Sequence, residues 1–456
     1  MKYHTIIAIL IFSSILCTII FQNANALEIE LRNKKGELVY SEKNIAGYSF
    51  EIGPWAAPLV ITNVILFSLV FLYHKKILPS IIRKLIMMIF KFEISRKVAF
   101  VCLAVLLIMY VGFSVNRLLQ PPDQLPDYPL FLQLTKNWKG AISSDYAVNV
   151  RFVLSSISYY FLGNVRIVPF LESISLLLLS YYFTAQLSEK RFAGIISVVI
   201  ILQSNLFWQY DTTPTEDNAW TLFYLLSLVL IAKRQQYLSP IAYVLSFFCK
   251  PLIAIFIPFT YYFIYRSENS KKEKIRISIF YAVVVILLLL GIMTLFTGAF
   301  TGPGVQERGL KIHIENFLPE FAILGDYLRS DGLVLLFLLP LVVGLFNATR
   351  KNVLHADSFM FLIFGILSSG PLLVTFTGTN DEPYRYVPLI IYFSIGVGLL
   401  LSNKFIDSSV PSKNRPLSTL VFLACIVIVL YSLFLAFFPG FYSGPVTKHY
   451  ITDFGS

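Results

Sequence analysis

The sequence predicts an all-α polytopic membrane protein, and three observations predict it. Of the 456 residues, 56% are hydrophobic and only 14% charged. Mean hydropathy is +0.71, far from a soluble average. Apolar runs of spanning length recur at about 5–21, 57–73, 98–116, 165–187, 192–208, 218–232, 237–249, 251–265, 277–297, 332–347, 357–376, 386–401 and 417–438. These give about 12–13 transmembrane helices, depending on how the first run is used.

That first run follows Lys2 and ends in Asn23-Ala24-Asn25-Ala26, a small-x-small pattern of the kind signal peptidase cuts. Residues 1–26 are therefore a signal peptide or a first transmembrane anchor. Segment 27–56 alternates polar and apolar residues and turns at Lys34-Lys35-Gly36, like a small hairpin on the outer surface. Residues 57–97 hold one further span and a loop carrying Lys75, Lys76, Arg83, Lys84, Lys91, Arg96 and Lys97. Basic residues resist translocation, so this loop is expected in the cytoplasm. Lys190-Arg191, Lys233-Arg234, the Arg266 to Arg276 cluster, Arg350-Lys351 and Lys404 with Lys413 and Arg415 thread to the same side. Most of the 26 acidic residues then fall outside. The formal charge of +11 is explained by short cytoplasmic loops beside anionic lipid headgroups, with no nucleic-acid partner.

The longest outer segments are 27–56, 117–164 and 298–331. Segment 117–164 opens with Pro121-Pro122-Asp123-Gln124-Leu125-Pro126-Asp127-Tyr128-Pro129. Its stretches 130–139 and 146–162 have the mixed polarity of helices lying in the interface. Reading 146–162 as a span would instead put Asp211 and Asp217 in the cytoplasm and Lys190-Arg191 outside, against the charge rule. The Gly-rich 298–331 loop reads equally as a gate over an outer site and as a connector. The four cysteines, Cys17, Cys102, Cys249 and Cys425, lack the spacing of a metal site or redox pair. No internal repeat, Walker-type loop or dinucleotide fingerprint is present, which argues against nucleotide-driven chemistry.

The segment Tyr210-Asp211-Thr212-Thr213-Pro214-Thr215-Glu216-Asp217-Asn218-Ala219-Trp220 places three carboxylates between two runs apolar enough to span. Charge there is costly and marks a functional site. With 146–162 interfacial, Asp123, Asp127, Asp145, Asp211, Glu216 and Asp217 emerge on one face. A Gly163 break and Arg166 open the next span; Glu189-Lys190-Arg191-Phe192-Ala193-Gly194 forms a basic turn and a small-residue helix start. Lys250-Pro251 lies in the following outer turn, and Arg385-Tyr386-Val387-Pro388 comes late. In this order and sidedness the chain resembles the polyprenyl-phosphate-sugar-dependent glycosyltransferases of the GT-C fold. Lipid A aminoarabinose transferases, protein O-mannosyltransferases and oligosaccharyltransferases share that general plan. The resemblance covers about 98–401, leaving 402–456 as a cytoplasmic loop, a last span and a short outer tail. The chain departs from members with a paired Asp-Glu in the first loop, having Asp127-Tyr128 there, and no large soluble C-terminal domain follows.

The resemblance implies a catalytic membrane module facing outward and a polyprenyl-phosphate-linked sugar donor. The acceptor would be a glycan, a lipid or a protein, among membrane lipids. Asp127 would be the general base, with Asp217 and Asp211 as further catalytic acids; Asp217 would orient the acceptor or help hold a divalent cation, the one cofactor suggested. Lys250, Arg385 and Tyr386 would bind the donor phosphate. The chemistry agrees: polyprenyl phosphate is itself an activated leaving group, so the protein must add a base for the acceptor hydroxyl and a cation for the departing phosphate.

Duller readings stand beside each assignment. Asp217 suits an N-cap, as does Thr215. Asp127 and Asp211 suit turns. Lys250 suits snorkelling, and Arg385 an ion pair with Asp381 or Glu382. Glu172, inside a span, suits a pair with a polar neighbour, and His313 with Glu315 is too sparse for a metal site. At the level of the whole chain, the alternatives are a transporter or flippase and a noncatalytic scaffold. The absence of a repeat and the gathering of acids at one surface favour the enzyme. The threading is directly testable: a membrane-impermeant reagent should label a cysteine introduced at Ser144 and spare one at Ser270. The reverse pattern would invert the orientation.

Overall fold

The computed structural model describes residues 56–75, 77–119, 132–133, 135–136, 150–295, 331–377, 383–406 and 426. The hairpin expected within 27–56, the first and last apolar runs, Asp123, Asp127, Asp145 and the 298–330 loop lie outside these residues. Among the described residues every regular element is a helix, as the apolar periodicity requires. The order is α1 (Ala56–His74), α2 (Ser80–Lys91), α3 (Arg96–Leu118), α4 (Val150–Leu162), α5 (Ile167–Ser188), α6 (Arg191–Leu202), α7 (Asn205–Tyr210), α8 (Glu216–Ala232) and α9 (Ser239–Cys249). A 3-10 turn (Pro251–Phe256) then leads into α10 (Ile257–Arg266), α11 (Lys271–Leu295), α12 (Gly332–Arg350) and α13 (Ala356–Thr377). A second 3-10 turn (Pro383–Tyr386) precedes α14 (Val387–Leu400) and α15 (Asn403–Ile406).

Among the described residues four helices are long and apolar enough to cross a membrane: Arg96–Leu118, Ile167–Ser188, Lys271–Gly291 and Gly332–Arg350. Several runs expected as continuous spans are shorter or broken. The run at 192–208 divides at Gln203-Ser204, where the Ser204 hydroxyl accepts from Phe207 N and caps a new helix, α7. The run at 251–265 begins as a 3-10 turn, because Pro251 and Pro258 each remove a backbone donor. Within 146–162, helix forms from Val150 and ends at Leu162, where Gly163 takes φ +70°. Asn164 then ties this end to α3 by donating to Leu118 O at 2.6 Å.

Polar contacts among the described residues gather at two ends of the bundle. At one end Arg117, Asn164, Asp211, Lys250, Asp331 and the Pro383–Tyr386 turn are linked through contacts with α7 and α8. At the other, Arg191 meets Glu93 at 3.6 Å, Lys404 meets Glu189 at 2.9 Å, and Arg266 pairs with Asp357.

The core is organised around α14, almost every residue of which is buried. It contacts α5, α6, α8, α12 and α13. A helix apolar on all sides belongs in such a position. Its Ser394 is matched by Ser197 of α6, with the two hydroxyl oxygens 3.2 Å apart. Close approach depends on small residues. A Cβ on Gly398 would clash with the Thr184 methyl, and one on Gly194 would lie 2.6 Å from the backbone oxygen of Tyr181 in α5. At Gly344 the obstacle is instead the flexible end of Leu400, at 2.8 Å. Gly194→Ala must push backbones apart, so we expect a loss of about 1–3 kcal/mol. Gly344→Ala should lose less, because Leu400 can rotate. Thermal unfolding of the two variants in the same detergent checks the ranking, and an equal or inverted ranking would refute it.

Candidate functional site

Among the described residues, helices α8 and α9 share the most extensive helix–helix contact. They are antiparallel, so the first turn of α8 lies beside the last turn of α9. Ser246 marks that level by donating to Trp220 O at 2.8 Å. Asp217 is the second residue of α8 and Lys250 directly follows α9, so their side chains meet: Lys250 Nζ lies 2.8 Å from Asp217 Oδ1. Both are buried. The same oxygen accepts a hydrogen bond from Trp220 Nε1 at 2.6 Å. The positive end of α8 favours the carboxylate and the negative end of α9 favours the ammonium, so the dipoles reinforce the pair. Thr215 occupies the N-cap position, without a side-chain capping bond. Asp217 is thus not the cap of its helix; its carboxylate faces Lys250 and Trp220.

Asp211 sits where α7 gives way to the loop before α8, and it too is fully buried. Arg117, in the last turn of α3, pairs with it at 2.8 Å, and Ser114 one turn earlier donates at 2.9 Å. The Arg117 guanidinium also donates to Trp208 O and lies over the Trp208 ring, 4.7 Å from its centroid. Burial raises the Asp211 carboxyl above the ordinary carboxylate range, with Arg117 and Ser114 drawing it partly back. Asn218, next to Asp217, joins the two acidic positions. Its amide donates to Tyr210 O at 3.1 Å and reaches Asp211 O at 3.5 Å, while Ser173 of α5 donates to Asp211 O at 2.7 Å.

The late basic turn belongs to the same end. Tyr384 packs edge-to-face on Tyr210 with ring centroids 5.9 Å apart. This brings Arg385, half-buried, to the side of the Asp211 loop. Tyr386 is wholly buried beneath it and reads as a support for the turn. Glu172 lies buried in α5, facing the opposite charge of Arg151 on α4.

The structure therefore brings Asp211, Asp217, Lys250, Arg385 and Tyr386 to one end of the bundle, while Asp127 lies outside the described residues. It adds Arg117, Ser114, Ser173, Asn218 and Trp220. It also adds Asp331, the N-cap of α12, which accepts from Val334 N at 3.3 Å and from the Ser204 hydroxyl. Burial raises its carboxyl as well. An Asp-Gly before an apolar run was a readable cap signal; the partners of Arg117 lie more than 90 residues away and carried no local signal. Among the described residues no group of three or more His, Cys, Asp or Glu could hold a metal ion. Asp211 and Asp217 each face a cationic side chain, so they do not form a two-carboxylate cradle.

Comparison of the chain with protein-family models, with curated proteins and with solved structures finds no match.

The Arg117–Asp211 pair gives a stability test. Arg117→Met leaves a fully buried carboxylate without its guanidinium, so we expect a loss of about 3–5 kcal/mol. Asp211→Asn leaves a cation that is 23% exposed and should cost less. The double variant should recover part of the Arg117→Met loss. Denaturation of the set gives the coupling energy, and purely additive losses would show that the pair does not couple.

Proposed function

We propose that this protein is a membrane glycosyltransferase. In this reading it moves a sugar from a polyprenyl-phosphate donor to an acceptor hydroxyl at the extracytoplasmic face, by inverting displacement. The observation that carries the reading is the buried Asp217–Lys250 pair at the head of α8, at the same end of the bundle as the Arg385 turn. A carboxylate and two cations at one end of an apolar bundle match the needs of a phosphate leaving group and an attacking hydroxyl.

In this reading Asp127 accepts the acceptor's proton as the hydroxyl attacks the anomeric carbon, and the C–O bond to phosphate breaks with its electrons. Lys250 acts as a point charge and Arg385 as a planar fork on the departing phosphate. Asp217 sets the position of Lys250, and Tyr386 supports the turn carrying Arg385. No nucleotide is needed, because the bond from sugar to polyprenyl phosphate is already activated.

A scaffold reading has one observation in its favour: both buried acids are already matched by cations, as purely structural pairs would be. Turnover separates the two. Purified protein given a polyprenyl-phosphate sugar and an acceptor should transfer sugar without nucleotide. Asp127→Asn should lower that turnover by about 100-fold or more. Arg385→Lys, which keeps charge and loses the fork, should cost less. Full turnover in a folded Asp127→Asn protein would remove Asp127 as the base. Full turnover in a folded Asp217→Asn, Lys250→Met double variant would leave the scaffold reading of that pair in possession.

A further inference from the structure

Helix α2 has no place in the proposed chemistry, and its surface is unlike that of any span. It has 12 residues and none is buried. At 1.5 Å per residue it is about 18 Å long, too short to cross a bilayer. It connects α1 to α3, the latter long and apolar enough to span, so it is held at membrane level by its neighbours.

Its contacts fix which way it faces. Met87 accepts from Tyr73 Oη at 3.0 Å, Phe90 packs on Phe405 with centroids 6.4 Å apart, and Lys190 Nζ donates to Phe90 O. Just beyond its end, Phe92 meets Phe192 edge-to-face at 4.8 Å. These contacts use one side of the helix. The other carries Ile81, Leu85, Met88 and Ile89, at helical spacing and 71%, 49%, 59% and 54% exposed. Arg83, Lys84 and Lys91 are the charged residues of the helix, with Lys75, Arg96 and Lys97 flanking it and no acid within it. Glu93, the acid that follows, is matched by Arg191 at 3.6 Å.

We propose that Ser80–Lys91 lies flat in the bilayer surface as a docking site for anionic phospholipid, its apolar side in the acyl boundary and its lysines among the headgroups. An exposed apolar stripe bordered by cations and anchored between two helices has the properties of an interfacial helix. Its positive charge, with no acid within the helix, selects anionic over zwitterionic lipid. A second copy of the chain is a poorer occupant, because lysines are depleted from protein interface cores. The proposal does not depend on sugar transfer.

The full chain, freed of its four cysteines and carrying a fluorophore on Met88→Cys or Lys84→Cys, would be reconstituted into phosphatidylcholine vesicles with and without phosphatidylglycerol. The probe at 88 should be quenched by acyl-brominated lipid and shielded from aqueous iodide, whereas iodide should reach the probe at 84. Phosphatidylglycerol should be enriched among lipids retained by the protein. Neutralising the exposed Lys84, Lys91 and Lys97 together to Gln should cut that enrichment by about tenfold. Iodide reaching position 88 would overturn the proposal, as would protection of 88 from both quenchers, which would mean that protein covers it. Unchanged lipid retention in the triple variant would equally overturn it.

Discussion

A helix apolar on every side, as Val387–Leu400 is, is stable only when neighbours enclose it, and α5, α6, α8, α12 and α13 are arranged around it. Their positions are set by how closely each backbone can approach. Gly398 lets α14 lie against Thr184 and the Ala193 carbonyl, and Gly194 lets α6 lie against α5. Small residues at such crossings give an apolar bundle its specificity, because nearly every side chain is equally content in lipid and only fit distinguishes one neighbour from another. The site inherits its geometry from this packing, since the α8–α9 pair that joins Asp217 to Lys250 leans on the same core.

Polar groups inside such a bundle have few partners to choose from, and the pairs it keeps are informative. The hydroxyls of Tyr224 and Tyr243 are used within the core, on Thr260 and on Ile253 O. Asp211 and Asp217 each hold a cation at 2.8 Å. A buried ion pair is weak evidence for stability, because well-packed apolar residues would serve as well or better. Two such pairs lie at one end of the bundle, joined by Asn218 and Ser173. The other end has a different character: its basic turns clasp α2, and the Arg191–Glu93 and Lys404–Glu189 pairs there are exposed, whereas Arg266–Asp357 is buried.

Much of this was legible in the sequence. Apolar runs located most of the described helices to within a few residues where no proline or capping serine intervened. The meeting of Asp217 and Lys250 follows from a short antiparallel pair, acid at its start and lysine at its end. What the runs did not show is where a helix breaks, as at Gln203-Ser204, or that 80–91 is a surface helix with a period of its own, because its charges read first as a loop. Asp217 and Thr215 both suited a cap by sequence position; the structure gives the N-cap to Thr215 and turns Asp217 toward Lys250 and Trp220.

Composition and periodicity determined that this chain is helical, apolar and asymmetric in charge, because these properties depend on residues within a few turns of one another. Tertiary structure alone decided that Arg117 answers Asp211, that Tyr210 meets Tyr384, and that Arg191 and Lys190 clasp the end of α2. Those contacts join residues roughly 90 to 170 positions apart, and local propensity is silent on which distant helix will present its side chain. The physical reason is that partner choice is made by packing, where a backbone approaching a fraction of an ångström closer selects one arrangement among many of equal hydrophobicity.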